Sequence, residues 1–295
     1  MSFRFFSKIS RARTRERILR ERLSEPLHLN LLSCLVAAVG SFESKVYFDL
    51  VLRNHNAYCL LQAARFAKRC GYSAFTAIEF GVADGAGLMN MAEIARKVTK
   101  ATGIKIELIG CDTGAGLPPP VDYRDHPDFY RHGGHAMQDF NQLRAKLPAW
   151  ARLVIGDIAE TVTPLLSEIR PDCPLGYVVI DVDYYSSSVA CLKVLSGPAE
   201  LYLPEMLLYL DDIGSPLHNP WQGELLAVDE FNAASEMRKV CHYNFLRQSR
   251  LLKNAPWIDQ VFLLHVLDHE HKRKVREGAP TVSGNPYLRL PRSSR

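Results

Sequence analysis

The stretch Phe75-Thr76-Ala77-Ile78-Glu79-Phe80-Gly81-Val82-Ala83-Asp84-Gly85-Ala86-Gly87 decides how the chain is read. It opens as a short apolar run, breaks at Gly81 and carries three glycines between Gly81 and Gly87. Leu88, Met91, Ala95 and Val98 follow on one face of a predicted helix running from about Gly87 to Thr99. A strand, a glycine turn and a helix start bring backbone close to a ligand, because glycine has no Cβ and the first helical N–H groups lack partners. Plain packing of helix on strand calls for the same glycines, and the turn alone does not choose between the two uses.

Outward from that turn, strand-like and helix-like runs alternate. Ile106 to Cys111 ends in Asp112, and Arg152 to Ile155 precedes Asp157-Ile158-Ala159-Glu160, which has capping-box spacing. Tyr177 to Ile180 ends in Asp181-Val182-Asp183-Tyr184-Tyr185, and Met206 to Leu210 ends in Asp211-Asp212. Tyr243 to Leu246 and Gln260 to Val266 read as two closing strands. Helices are expected over Met137 to Leu147, after a cap at Ser186 to Ser188, and over Glu224 to Met237. Alternation over roughly 190 residues predicts an α/β, doubly wound, mostly parallel sheet. Such sheets bind ligands outside the carboxyl ends of their strands. That rule selects Glu79 to Gly87, Asp112, Asp157, Asp181 with Asp183, and Asp211 with Asp212.

The flanks divide the chain into a basic arm and helical extension (1–70), a core (71–270) and a basic tail expected to be disordered (271–295). The arm carries Arg4, Lys8, Arg11, Arg13, Arg15, Arg17, Arg20 and Arg22 ahead of the apolar run Leu29 to Val39. That run is too short to span a membrane. Among the 295 residues 47% are hydrophobic and 23% charged, and the net charge of +4 is too mild to argue for nucleic acid. The seven cysteines are scattered without a CxxC pair, which disfavours structural zinc and a disulfide framework and points to the cytoplasm. A homo-oligomer is compatible with all of this.

The glycine spacing argues about the ligand. A dinucleotide turn reads G-x-G-x-x-G, and a phosphate loop needs Gly-Lys-Ser/Thr; neither is present. Here Glu79 precedes Gly81-x-x-x-Gly85-x-Gly87. Asp112 suits the hydroxyls of a ribose, or else begins the Asp112-Thr113-Gly114 turn. Asp157 suits an adenine amino group, or else caps a helix.

Taken in order, Ile78-Glu79-Phe80-Gly81-Val82, Cys111-Asp112-Thr113-Gly114-Ala115-Gly116-Leu117-Pro118, Ile180-Asp181-Val182-Asp183-Tyr184-Tyr185-Ser186 and Tyr209-Leu210-Asp211-Asp212-Ile213 resemble class I S-adenosylmethionine-dependent methyltransferases. The resemblance runs over roughly residues 50 to 267 and lies nearest the macrocin O-methyltransferase family. It implies a seven-stranded Rossmann-like methyltransferase sheet, with Glu79, Gly81, Gly85 and Gly87 around the methionine part of S-adenosylmethionine. It further implies Asp112 at the ribose, Asp157 near the adenine and a loop from Pro118 to His135 over the cofactor. The family often carries Asp-Ser-Phe-Glu where Asp112-Thr113-Gly114 stands, and a histidine where Tyr184 and Tyr185 stand. Asp181, Tyr184 and His135 are therefore the candidates for the catalytic step.

Asp181, Asp183, Asp211 and Asp212 come from adjacent strand ends, and carboxylates so placed repel one another unless a cation neutralises them. All-oxygen ligands suit magnesium, held by Asp181, Asp211 and Asp212, with Asp183 behind them. Helix capping, or binding to Ser186 to Ser188, is the other use of these aspartates. The expected activity is metal-assisted methylation of a hydroxyl on a sugar or small metabolite. Two other readings compete: a metal-dependent glycosyltransferase using Asp181-Val182-Asp183, and a non-catalytic cofactor-binding interaction protein.

Overall fold

A computed structural model describes residues 20–214 and 219–273. Ahead of the sheet lie α1 (Leu27–Val39), α2 (Phe42–Tyr47) and α3 (Asn54–Arg69). Ala57, Leu60, Leu61, Ala64 and Ala67 recur at helical spacing along α3 and are all fully buried. The chain leaves α3 through Gly71, whose φ of +87° is a left-handed exit that favours glycine.

The glycine stretch folds as β1 (Ala74–Phe80) and α4 (Ala86–Thr102). There follow β2 (Lys105–Asp112), α5 (Phe140–Lys146), β3 (Ala151–Ile155), α6 (Ile158–Glu168), β4 (Leu175–Ile180), α7 (Tyr185–Leu192) and β5 (Tyr202–Leu210). The described residues end in α8 (Gly223–Ala234), β6 (Arg238–His242), α9 (Leu246–Ser249), β7 (Val261–Val266) and α10 (Glu270–Arg273). The seven strands form one sheet in the order β3-β2-β1-β4-β5-β7-β6. The first five pair in parallel; β7 runs antiparallel between β5 and β6. This is the doubly wound, mostly parallel Rossmann-like sheet that the sequence predicts, with helices ahead of it.

Side chains alternate across the strands and feed two cores. Ala77, Tyr177, Val179 and Tyr209 pack with α3 and α4 on one face. Ile78, Val178, Ile180, Leu208 and Leu210 pack with α6, α7 and α8 on the other. Burial on both faces explains why β4 reads as a continuous apolar run.

Three expectations are corrected. Tyr243 to Leu246 is not a strand: β6 ends at His242, and Leu246 N–H turns back onto the Tyr243 carbonyl to begin α9. The polar edge strand Arg238–His242 turns only part of its length inward, which hides it from an apolar-pattern search. The helix expected from Met137 begins at Phe140, because the Asp139 carboxylate caps it through Gln142 N–H at 2.8 Å. Ser186 to Ser188 do not cap α7 but lie within its first turn. Their place is taken from a distance by buried Asp125, which accepts from Ser186 N–H at 2.8 Å and Ser186 Oγ at 3.0 Å.

Of the arm, only Arg20 and Arg22 fall within the described residues; the rest lies outside them, as does the tail beyond Arg273. The tail's first residues belong to α10, and His271 reaches the Cys70 carbonyl. Among the described residues, no helix is long and apolar enough to cross a membrane. All seven cysteines are free thiols.

Candidate active site at the strand ends

Register places the site. Phe80, Ile180 and Leu210 are aligned across β1, β4 and β5, so the next residues, Gly81, Asp181 and Asp211, emerge side by side. Backbone bonds continue past the strands: Asp181 N–H donates to the Phe80 carbonyl and Asp211 N–H to the Ile180 carbonyl. The chain runs outward from β1 in both directions, so the crevice between β1 and β4 is the switch point of a doubly wound sheet.

The glycines of the turn face protein. At Gly81, with φ of +86°, a Cβ would lie 1.6 Å from the Asp181 carbonyl oxygen. At Gly87 it would lie 2.2 Å from Glu79 Oε1, and at Gly85 it would meet the Leu143 side chain at 2.4 Å. Close packing therefore accounts for each of them. The turn still offers donors: the first bond of α4 is Met89 N–H to the Gly85 carbonyl, leaving earlier N–H groups without helical partners.

Under that helix start sits Glu79, buried, with Oε2 lacking any hydrogen-bond partner. Burial pushes its carboxyl up to about 8; Arg53 holds it down, while Asp181, Asp112 and Asp211 push it further up. Asp112 uses both oxygens on backbone: Oδ2 accepts from Ala83 N–H at 2.8 Å and Oδ1 from Gly114 N–H at 2.6 Å. It thus fastens the glycine turn to the β2 loop. Exposed Asp157 caps α6 by accepting from Ala159 N–H at 2.8 Å, without the reciprocal bond of a full capping box.

The aspartate edge differs. Asp181, Asp211 and Asp212 bring one carboxylate oxygen each within 4.8 Å of one another. Burial raises the pKa values of Asp181 and Asp212 well above the usual carboxylate range, and neighbouring aspartates raise them further. Asp183 adopts a left-handed φ of +61° and donates its N–H to Asp212 Oδ2 at 2.8 Å. It therefore stands behind the three as a backbone tether.

Sequence reasoning missed Glu224. This buried residue in the first turn of α8 accepts from Asp212 N–H at 3.2 Å and leaves Oε1 unpartnered. Burial, followed by the charges of Asp212, Asp181 and Asp211, raises its pKa strongly. No local pattern distinguishes it from an ordinary first-turn glutamate.

The long loop after β2 closes one side. Tyr130 Oη reaches Asp212 Oδ1 at 3.4 Å, and its ring meets that of Tyr184 edge-on at 5.9 Å. Tyr184 is fully buried, its hydroxyl has no partner, and burial raises its pKa. At neutral pH it is a donor rather than a base. His135 is exposed, with φ of +61°. Its neighbours Gly133 and Gly134 pair with Leu117, and Met137 with Gly114, on the turn side of the site. Opposite the loop, His55 stacks on Tyr209 at 4.1 Å, and burial lowers its pKa to about 3.

Two grooves of about 680 and 580 Å³ lie away from these carboxylates, one along α2 and α4 and one between Tyr72 and His269. Neither is lined by a residue of the strand-end cluster.

No family model matches the chain, and no curated protein does. Among solved structures, the chain is similar to the calicheamicin methyltransferase CalS11, at 19% identity over 73% of this chain and 81% of that one, with a TM-score of 0.43. It is also similar to the plantazolicin methyltransferase BpumL in complex with a pentazolic analogue and SAH. The identity there is 11% over 84% and 93% of the two chains, with a TM-score of 0.33.

Proposed function

We propose that the chain is an S-adenosylmethionine-dependent methyltransferase that methylates a hydroxyl of a sugar or small metabolite with the help of a divalent cation. The observation that carries the metal part is the convergence of Asp181, Asp211 and Asp212 on one point beside the glycine turn. Three hard oxygen donors at 4.8 Å or less, two of them driven toward protonation by burial and then by neighbouring aspartates, form a set that a magnesium-sized cation would relieve. The ordered motifs of the sequence, laid on this doubly wound sheet, support the cofactor.

Glu79, Asp112, Asp157 and the first-turn N–H groups after Gly85 are the residues that would hold S-adenosylmethionine. Glu79 fits through its orphaned buried oxygen. Asp112 fits through lone pairs left over from its two backbone bonds, and Asp157 through its second oxygen. Asp181, Asp211 and Asp212 would hold the cation, which when bound lowers the pKa of an acceptor hydroxyl and fixes its direction. The protein's own contribution is positional. Asp181 belongs to both halves of the site, because its carboxylate faces Asp211 while its carbonyl contacts Gly81. Acceptor and methyl donor are thereby held in one frame, which suits an in-line displacement. Tyr184 donates a hydrogen bond to the acceptor when the Tyr130 loop moves aside, and His135 is the candidate base on that loop.

The test is incubation of the protein with methyl-labelled cofactor and a panel of sugars and small hydroxylated metabolites, read by mass spectrometry with and without chelator. Label transfer that stops with chelator and returns with magnesium is expected. Full turnover in excess chelator removes the cation from the proposal. S-adenosylhomocysteine failing to raise the melting temperature removes the methyltransferase reading altogether.

A further inference from the structure

Helix α1 is amphipathic in reverse. Asn30 and Ser33 turn toward the protein, while His28 is exposed: Ser33 is buried, and Asn30 Nδ2 donates to the Arg22 carbonyl at 2.7 Å. Just before it, Arg22 reaches the carbonyls of Phe48 and Asp49 at 2.7 and 2.8 Å. Buried Glu25 accepts from Lys253 and Asn254 N–H, each at 2.6 Å. Most of the large apolar side chains point outward, with Leu29 and Val36 half-buried. Leu23, Leu27, Leu31, Leu35 and Val39 are 81, 75, 65, 58 and 77% exposed. Leu27, Leu31, Leu35 and Val39 recur every fourth residue and make one continuous ridge along α1, with Leu32 beside it and Leu23 just ahead of the helix.

That ridge is on the order of 600 Å² of apolar surface, large for a free monomer and close to the roughly 800 Å² per partner of a standard interface. We propose that a second copy of this chain covers it, with α1 packing on α1 across a two-fold axis. Two features favour a copy over a lipid surface. From Pro26 to Phe42 the chain has no Lys, Arg, Asp or Glu, so a self-complementary contact sets no like charges against each other. A helix lying on lipid turns a charged face to the headgroups, whereas Asn30 and Ser33 of α1 are already bonded to their own protein. A ridge of residues four apart also fits the groove of an identical helix, in the commonest class of helix crossing.

Exposed Cys34 lies near the middle of α1, where a two-fold axis brings a residue close to its own copy. Sedimentation velocity on the full chain across about 1–100 µM is the direct test, and a dimer is expected. Leu31→Glu with Leu35→Glu alters exposed positions and is expected to weaken that dimer at least about 100-fold. Its circular dichroism spectrum should match the parent. A bis-maleimide should cross-link the unaltered chain to a dimer, lost in Cys34→Ser and retained in Cys241→Ser. This second readout stands even if the charged variant fails to fold. Three results overturn the proposal: a monomer at every concentration, a dimer unaffected by both glutamates, or a cross-link that depends on Cys241. A monomer that co-sediments with phosphatidylserine vesicles, and loses this with the two glutamates, assigns the ridge to lipid instead.

Discussion

The two halves of the strand-end crevice are built on opposite terms. In the glycine turn the special residues are largely answered by protein: Gly81 by the Asp181 carbonyl, Gly85 by Leu143, and Asp112 by two backbone N–H groups. At the aspartate edge Asp181, Asp211 and Asp212 crowd together, and buried Glu224 leaves an oxygen unbonded. Folding explains the first half. It does not explain the second, which costs stability as it stands, and local rules are broken in this way where function requires it. Glu79 is the exception inside the turn, with its own orphaned oxygen.

The contrast breaks most readily at Gly81. An added Cβ would occupy the space of the Asp181 carbonyl oxygen, in a residue whose N–H is fixed to the Phe80 carbonyl, at a φ that L residues rarely adopt. Gly81→Ala should cost on the order of 3 kcal/mol or more, read as a lower urea midpoint or as loss of soluble protein. A cost under about 1 kcal/mol would mean that the turn is not packed as described.

Asp211→Asn probes the other half with the opposite sign. Asp211 is the exposed member of the three, and its charge raises the pKa values of Asp181 and Glu224. Without divalent cations the variant should melt about 2–4 °C above the parent. Millimolar magnesium should raise the parent's melting temperature and leave the variant's unchanged. A variant less stable than the parent in chelator would show that the cluster is not under repulsion.

The same repulsion sets a pH dependence. Glu79, Asp181 and Asp212 hold protons in the folded protein above the pH at which an unfolded chain releases them, for Glu79 up to about 8. Over that window the folded state binds more protons, so stability falls as pH rises from about 4 to about 8. In chelator the melting temperature should drop by about 5 °C or more across that interval. Glu79→Gln should flatten the slope, and an equally steep slope in that variant would place its origin elsewhere.

The fold was legible because β1, β2, β4 and β5 are apolar runs that stop abruptly at glycine or aspartate. Strands buried on both faces leave no other pattern. Asp181, Asp211 and Asp212 followed from the rule about carboxyl ends, and register alone brings Asp181 beside Asp211. What stayed hidden depends on contacts distant in sequence. Asp125 caps a helix that begins 60 residues later, and Glu224 reaches Asp212 across an insertion. Neither leaves a local signature. The strand expected at Tyr243 to Leu246 erred because aromatic residues there line a turn, while the true edge strand before it is polar.

Asp157 carries the smallest predicted effect and sharpens the comparison most finely, because it could belong to either half. One oxygen is committed to Ala159 N–H, as in the answered turn, and the residue is exposed, so the other is open to a ligand. Asp157→Ala should cost about 1 kcal/mol as a lost cap, and Asp157→Ser should recover most of it, since a serine hydroxyl also accepts from the helix start. Affinity for S-adenosylhomocysteine, read by calorimetry, separates the two roles. If the free oxygen meets the adenine, both variants bind about 5-fold more weakly, the worth of one ordinary hydrogen bond, although serine restores stability. If binding recovers together with stability in the serine variant, Asp157 serves the helix alone, and its place among the cofactor residues falls.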